Sequence, residues 1–295
     1  MGTFLTDHFE TLFDRIKAGL DRRLGLPLLR GKFKHILGYD LNLENPVTLN
    51  EKIQWLKFNT TGNDYVRASD KLEMPHFVRE LIGDEMCEGI FTEILLETHD
   101  PDTIDFEALP RSYVIKPSHG SGWLRIVTQA DPPDADDLRR QCKSWLRRKY
   151  GHRQFEWPNL QIKPRIMVEE LLDCPGQLGA RDVKLHMLDG KIRRVMLMAD
   201  RFGQIRSTRI NQDWTAFRGQ PDPPFEEVMG WADMQEIAIA IGQHFSYVRV
   251  DFLSTPTRFA LNELTFFSES GLNPMSYEND IELGNQLVLP PSPPA

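Results

Sequence analysis

Cysteine is scarce in this chain: Cys87, Cys142 and Cys174 are the only three in 295 residues, and they lie far apart. They form no CxxC pair, so the sequence offers no disulfide framework, and a reducing cytoplasm fits it best. Long apolar runs are missing too. The N-terminus holds no apolar core of signal-peptide length, and no segment is long enough to span a bilayer. Gly2 to Thr6 does match the short N-myristoylation pattern, but a helix start near Thr6 or Asp7 is the plainer reading. Excess positive charge is absent as well: the net charge of −8 argues against general affinity for nucleic acid. Neither GxxxxGK[ST] nor GxGxxG occurs, and there is no internal repeat.

What is present is ordinary apolar content, 40 % of residues, with 26 % charged, as in a globular protein with a full core. The spacing of Phe9, Leu12, Phe13, Ile16 and Leu20 predicts a helix over 7–24. Further helices are predicted over 49–58, from Ser69 or Asp70 to Ile82, over 135–150 and over 232–245. Short apolar or alternating runs predict strands in "YVIKP", "PRIMVEELL", "DVKLHML", "KIRRVMLMADRF", "YVRVDFL" and "RFALNELTFF". Asp189-Gly190 is a strong hairpin signal. Helices first and mostly antiparallel strands later read as α+β. The tail 289–295 is proline-rich and expected to be disordered.

Chemistry concentrates in three places. Lys116 interrupts an apolar strand, and His119, Gly120, Ser121, Gly122 and Trp123 follow it. A buried ammonium is costly unless something negative meets it, and glycines let backbone N–H groups approach a ligand. Together they make a phosphate cradle. A hairpin turn with a snorkelling lysine is an equal account of this stretch alone. In "RDVKLHML", Asp182, Lys184 and His186 share one strand face, toward a cleft or toward plain solvent. Asp251 and Glu263 sit on the last two strands, nearly opposite each other across a tight hairpin. Two carboxylates so close repel unless a cation lies between them, and Mg²⁺ suits because it takes carboxylate and phosphate oxygens together.

Seven segments extend this pattern. "LNEKIQWLKF", "SDKLEMPHFVRELIG", "YVIKPSHGSGW", "PRIMVEELL", "DVKLHM", "VRVDF" and "ELTF" stand in this order, from about residue 45 to about residue 275. The sequence thereby resembles the TupA-like ATP-grasp proteins, found in bacterial cell-surface polysaccharide gene sets. The resemblance implies an ATP-grasp fold, with two α+β lobes clasping ATP. Residues 1–68 would form a helical N-terminal region and 69–288 the ATP-grasp domain, with a lobe boundary near 168–172. It also implies roles. Lys116 and Lys184 would contact the phosphates, and the loop from His119 to Trp123 would close over them. Glu169 would meet the adenine amino group, with Leu171 and Leu172 on the ring. Glu170 and Asp182 would take the ribose hydroxyls. Asp251 and Glu263 would bind Mg²⁺, with Thr265 standing where many relatives carry a metal-binding Asn. Arg201 and Arg249 would meet phosphate or acceptor.

The implied reaction is ligation. A carboxylate is activated as an acyl phosphate, an amine attacks it, and the products are an amide, ADP and phosphate. The expected acceptor is a surface glycan or its lipid-linked precursor. Three features are weighed beside it. Arg139, Arg140, Lys143, Arg147, Arg148 and Lys149 would attract an acidic polysaccharide, or simply solvate a helix face. The loop 209–219, with Asp213 and Trp214, is a lid or an ordinary surface loop. Asp100/Asp102 and Asp134/Asp136 have the spacing of a glycosyltransferase acidic pair, but in loop-like acidic stretches where chance explains it. A glycan kinase and a degenerate nucleotide-binding protein are the competing functions.

Overall fold

The structure, a computed structural model, describes residues 2–217 and 219–291, with side chains from residue 11 onward. Helices lead: α1 (Gly2–Arg23), α2 (Pro27–Leu37), α3 (Leu49–Asn59), α4 (Asn63–Ser69) and α5 (Met74–Ile82). A capping box starts α3. The Thr48 hydroxyl accepts from the Glu51 N–H at 3.1 Å, and the Glu51 carboxylate accepts from the Thr48 N–H at 3.0 Å. The helix expected from residue 69 or 70 to 82 begins later: α4 ends at Ser69, a turn covers 70–73, and only Met74–Ile82 is helical. Pro75 lacks an N–H and fits only the first helical turn, so α5 begins at Met74. The Asp70 carboxylate instead caps the turn through the Leu72 N–H.

A first, four-stranded antiparallel sheet follows, made of β1 (Ile94–Thr98), β2 (Tyr113–Pro117), β3 (Arg125–Val127) and β4 (Ile166–Glu170) in the order β1-β4-β2-β3. Between β3 and β4 run α6 (Ala135–Arg147) and the short α7 (Trp157–Gln161). Leu138, Cys142 and Trp145 of α6 pack on Tyr113, Ile115, Ile166 and Val168. The basic face of α6 is largely self-neutralised. Arg139 pairs with Asp136, Arg140 with Asp137, and Lys143 with Asp102. Asp102 and Asp136 are thereby ion-pair partners, and Asp100 and Asp134 cap their helices.

A second, five-stranded antiparallel sheet carries β5 (Arg181–Leu188), β6 (Lys191–Ala199), β7 (Arg206–Ile210), β8 (Tyr247–Ser254) and β9 (Phe259–Thr265) in the order β7-β6-β5-β8-β9. The β5–β6 hairpin turns at Asp189 and Gly190, both at positive φ (48° and 72°), the type I′ signature that favours Asp-Gly. The helices α8 (Trp231–Gly242) and α9 (Tyr277–Gly284) complete the chain's elements. Val183, Leu185 and Met187 point into the main core with Met234, Ile237, Ala238 and Ile241 of α8. Leu49, Ile53 and Leu56 of α3 and Phe77 and Val78 of α5 belong to that same core, so these helices are built into the larger lobe.

The loop after β7 is fastened rather than free. Trp214 is buried against Phe225 and Trp231, and Asp213 accepts from the Thr215 N–H and hydroxyl. Its indole therefore serves the core, not an acceptor. At the C-terminus, Leu287 is buried and Leu289 packs on the main core; residues 292–295 of the expected tail lie outside the described residues.

Helix α9 is docked backbone to backbone. A Cβ built at Gly284 overlaps the carbonyl oxygen of Val47 and the backbone of Thr48 and Leu49. Gly284→Ala is therefore expected to cost about 1–3 kcal/mol of stability, read as a lowered urea midpoint with an unchanged slope.

Candidate active site

Lys116 leaves β2 into the gap between the sheets and is 6 % exposed. Its ammonium lies 2.5 Å from Oε1 of Glu169 on β4 and 3.4 Å from Oδ1 of Asn262 on β9. The buried charge expected from sequence thus has a protein partner already. Glu169, expected at an adenine, is that partner, and its other oxygen accepts from the Thr92 hydroxyl at 2.9 Å. Glu170, expected at a ribose, is clamped by the Arg258 guanidinium at 2.9 and 3.3 Å.

The glycine turn takes the backbone the sequence called for. Gly120 and Gly122 have φ of 82° and 72°, and a Cβ at Gly120 would press on the Trp123 ring at 3.0 Å. Lys71, unassigned in the sequence, holds this turn: its ammonium donates to the Gly120 carbonyl at 2.9 Å and lies 3.9 Å from Glu263. His119 turns inward instead. It is fully buried, its Nε2 meets the Arg148 carbonyl at 2.9 Å, and its ring stands edge-on to Trp123. Burial pulls its imidazole down to about 4, and nearby Lys71 and Lys149 add to that. His119 is a neutral strut under the turn and lines neither cavity described below.

On the second sheet the expected residues converge. Asp182, Lys184 and His186 of β5 stand opposite Leu253, Asp251 and Arg249 of β8, and Asp251 stands opposite Glu263 of β9. Residues facing each other across a ladder project from the same side of a sheet, so all six ionisable groups share one face. Lys184 lies 3.4 Å from Asp182 and 3.6 Å from Asp251, and Arg201 lies 3.4 Å from Asp182. Arg249 grips both oxygens of Asp251 at 2.6 Å and also reaches Ser268, Thr265 and Glu263. The cation between the two acids is thus Arg249, reinforced by Lys184. Arg249 is held far above the ordinary guanidinium range: Asp251 and Glu263 outweigh its burial. Burial raises Asp251, and Arg249 and Lys184 oppose it. For Glu263, burial would raise the carboxyl, but Lys71, Arg249, Lys184 and Lys116 overrule it and hold it at about 2.

Two cavities meet here. The first, about 80 Å³, is walled by Lys116, the 120–123 turn, Glu169, Asp182, Arg201 and Glu263, with Val114, Ile126, Leu172, Phe202 and Leu253 forming an apolar slot. Leu171 and Glu170 lie on its rim. The second, about 450 Å³, is lined by Lys32, Tyr150, Glu156, Arg249, Thr265, Glu269 and Ser270 among others. Lys71, Gly120, Ser121 and Glu263 line both, so the two spaces share a wall of mixed charge.

The first cavity fits a nucleotide on chemical grounds. It joins an apolar slot, bare glycine N–H groups and convergent lysines, and Oδ2 of Asp182 is buried there without a partner. For a metal the fit is narrower. Both Asp251 oxygens and the Thr265 hydroxyl receive N–H groups of Arg249. Glu263 is ionised and open to both cavities. Among the described residues no group of three or more His, Cys, Asp or Glu is placed to hold a metal. The donor set therefore suits an ion that shares phosphate oxygens, as Mg²⁺ does. Lys71 and Asn262 are the residues that sequence reading left out. Lys71 was visible in "SDKLEM" as a cation beside a turn; Asn262 gave no signal, because only a bulge between Asp251 and Phe252 resets its register.

His119 supplies a pH test. Its ordinary value is 6.5 and the folded one is about 4. Between those values the unfolded chain binds a proton that the folded chain does not, so stability falls as pH drops. His119→Gln keeps a donor toward Arg148 and removes the titration. Wild type is expected to lose more stability than H119Q between pH 7 and pH 5, measured by urea unfolding; parallel losses would show that His119 is not buried neutral.

Solved structures with detectable likeness are distant. The ATP-grasp ligase PsnB complexed with minimal precursor is 16 % identical, over 73 % of this chain and 58 % of that one, with a TM-score of 0.39. D-alanine–D-alanine ligase from Helicobacter pylori is 14 % identical over 81 % and 69 %, TM-score 0.47. Macrocyclase MdnC bound with precursor peptide MdnA from Microcystis aeruginosa is 16 % identical over 77 % and 62 %, TM-score 0.38. The chain thus spans less than two thirds of the length of PsnB. No curated protein matches the sequence. The model of the TupA-like ATP-grasp family matches residues 51–288, which takes in both sheets and every residue lining the first cavity, and the chain belongs to that family.

Proposed function

We propose that this protein is an ATP-dependent carboxylate–amine ligase that forms ADP and an amide through an acyl phosphate, acting on a cell-surface polysaccharide or its precursor. The observation that carries the reading is the shared wall. The cavity with the apolar slot and a larger polar chamber meet at Lys71, Gly120, Ser121 and Glu263. A transferred phosphoryl group needs its donor on one side and its acceptor on the other, with cations at the junction.

ATP with Mg²⁺ would supply the phosphoryl group and a Lewis acid for its oxygens. The chain's part is positioning and charge. Lys116, Lys71 and Lys184 would offset charge spreading over phosphoryl oxygens, and the 120–123 turn would offer N–H groups without side chains in the way. Glu263 would hold the ion. Arg249, fixed by Asp251, lines the chamber, where an acyl oxygen would lie. Leu171, Leu172 and Phe202 would flank the base, and Asp182 and Arg201 the sugar or phosphates. Glu269 and Glu156 line the chamber and would draw in an ammonium-bearing partner. A nucleotide-binding protein without turnover is the second reading, favoured by the occupation of both Asp251 oxygens by Arg249.

Removing Lys116 leaves Glu169 buried without its cation. Lys116→Met is therefore expected to destabilise by about 3–5 kcal/mol as well as to inactivate. Lys116→Met with Glu169→Gln should restore the urea midpoint while ADP release stays down about 10²–10³-fold. Full turnover in the double variant would remove Lys116 from the chemistry. ADP release is screened over uronic-acid and amino-acid carboxylates crossed with amines. Free phosphate marks a ligase, phosphate retained on the acceptor a kinase, and tight ATP binding with no ADP the second reading.

Glu263→Gln is expected to abolish the Mg²⁺ dependence of ATP binding in calorimetry. Unchanged dependence would move the ion elsewhere.

A further inference from the structure

Beyond the cleft, the same sheet face carries a second cationic group that forms no ion pair among the described residues, with Glu269 acting on it only at a distance. In register, Arg194 of β6 stands opposite His186, and His186 stands opposite Arg249. Arg194 thus lies two strand spacings, about 10 Å, from Arg249 on the cleft side of the sheet. Its Nε and Nη1 are buried and have no hydrogen-bond partner, and among the described residues no carboxylate pairs with it. His186 between them is neutral: burial, with Arg194 and Arg249 adding, takes it well below its ordinary value, and its Nδ1 is engaged by the Tyr247 hydroxyl at 3.0 Å. Burial and neighbouring Arg209 pull the Arg194 guanidinium down to about 10, so it stays charged at neutral pH.

A buried, unpaired guanidinium is one of the most costly groups a fold can keep, and it persists where something else completes it. Arg194 and Arg209 line a cavity of about 210 Å³ with Asn211, Gln212, Glu282 and Gln286. The amide nitrogens of Asn211, Gln212 and Gln286 are spent on Thr215, Ile192 and Glu282, which leaves their carbonyl oxygens to accept. Glu282, the acid in this lining, forms no ion pair with either arginine among the described residues. The cavity offers cationic forks at its floor and acceptors at its rim. That combination suits an oxyanion attached to a group bearing O–H or N–H donors.

We propose that Arg194 and Arg209 form an oxyanion subsite for a carboxylate or phosphate carried by the second substrate, about 10 Å across the sheet from Arg249. The placement of this subsite in the reaction rests on the ligase reading; the binding of the anion does not. Arg194 makes contact at a distance from the reacting atoms, so it sets specificity and takes no part in the chemistry.

The test reads the site itself. The Arg194 Nε–H resonance is assigned by its loss in R194M, and wild type is titrated with inorganic phosphate and, separately, acetate. A saturable shift, with the dissociation constant raised at least tenfold in R209M, is expected. A response to phosphate alone assigns a phosphorylated substrate, and a response to acetate a carboxylate-bearing one. A resonance that neither anion moves, or that R209M leaves equally responsive, overturns the subsite. R194M is also expected to melt no lower than wild type, because it deletes an unpaired charge; a marked loss of stability would show a structural role instead. ATP binding is measured on the same samples. If ATP fails to bind any of them while the anion shift persists, the ligase reading falls and the subsite stands.

Discussion

Arg249 gripping Asp251 from two residues away on the same strand is the interaction around which the cleft is arranged. Asp251 and Glu263 are directly opposite across β8 and β9, and unscreened they would repel. The guanidinium, tied to both and to Ser268, lets the two acids share a buried ladder. That local neutrality then permits Lys71, Lys116 and Lys184 to crowd the same space. Lys71 has Glu263 at its side and Lys116 has Glu169, while Lys184 lies between Asp182 and Asp251. The result is a lattice of near-balanced charge around the shared wall of the two cavities.

The two sheets contribute to the lattice in different ways. The four-stranded sheet supplies one buried pair, Lys116 with Glu169, and the glycine turn that extends from it. The five-stranded sheet supplies a whole polar face, from Asp182 through Lys184 to His186, backed by an apolar face packed on α8. Alternation along β5 produces both faces at once. The further arginines on that face, Arg194 and Arg209, extend the polar surface past the cleft into a separate cavity.

Much of this was readable beforehand. A lysine in an apolar strand, two glycines behind it, an alternating strand and an acidic hairpin pointed to Lys116, Gly120, Gly122, Asp182 and Glu263, which line the first cavity, and to Lys184 and Asp251, which line neither cavity. The Asp-Gly turn and the capping box at Thr48 fixed local geometry because each depends only on residues within four of one another. Reading failed where a group's role depended on its partner. Glu169 reads as a free acid until β4 pairs with β2 and sets it beside Lys116. His119 reads as a loop residue until the Arg148 carbonyl meets it. Trp214 reads as an exposed lid residue until Trp231 arrives from α8. Pro75 was a local signal that placed the start of α5, outweighed by the polar residues before it.

The sequence by itself determined which strand would carry a buried lysine, where the glycine turn would fall and which face of β5 would bury, because periodicity and turn chemistry are short-range. Only the tertiary structure decided which charge neutralises which. Lys116 and Asn262 are 146 residues apart, and Lys71 and Gly120 are 49 apart. Coulombic partnership depends on distance in space, and strand order is what brings those positions together.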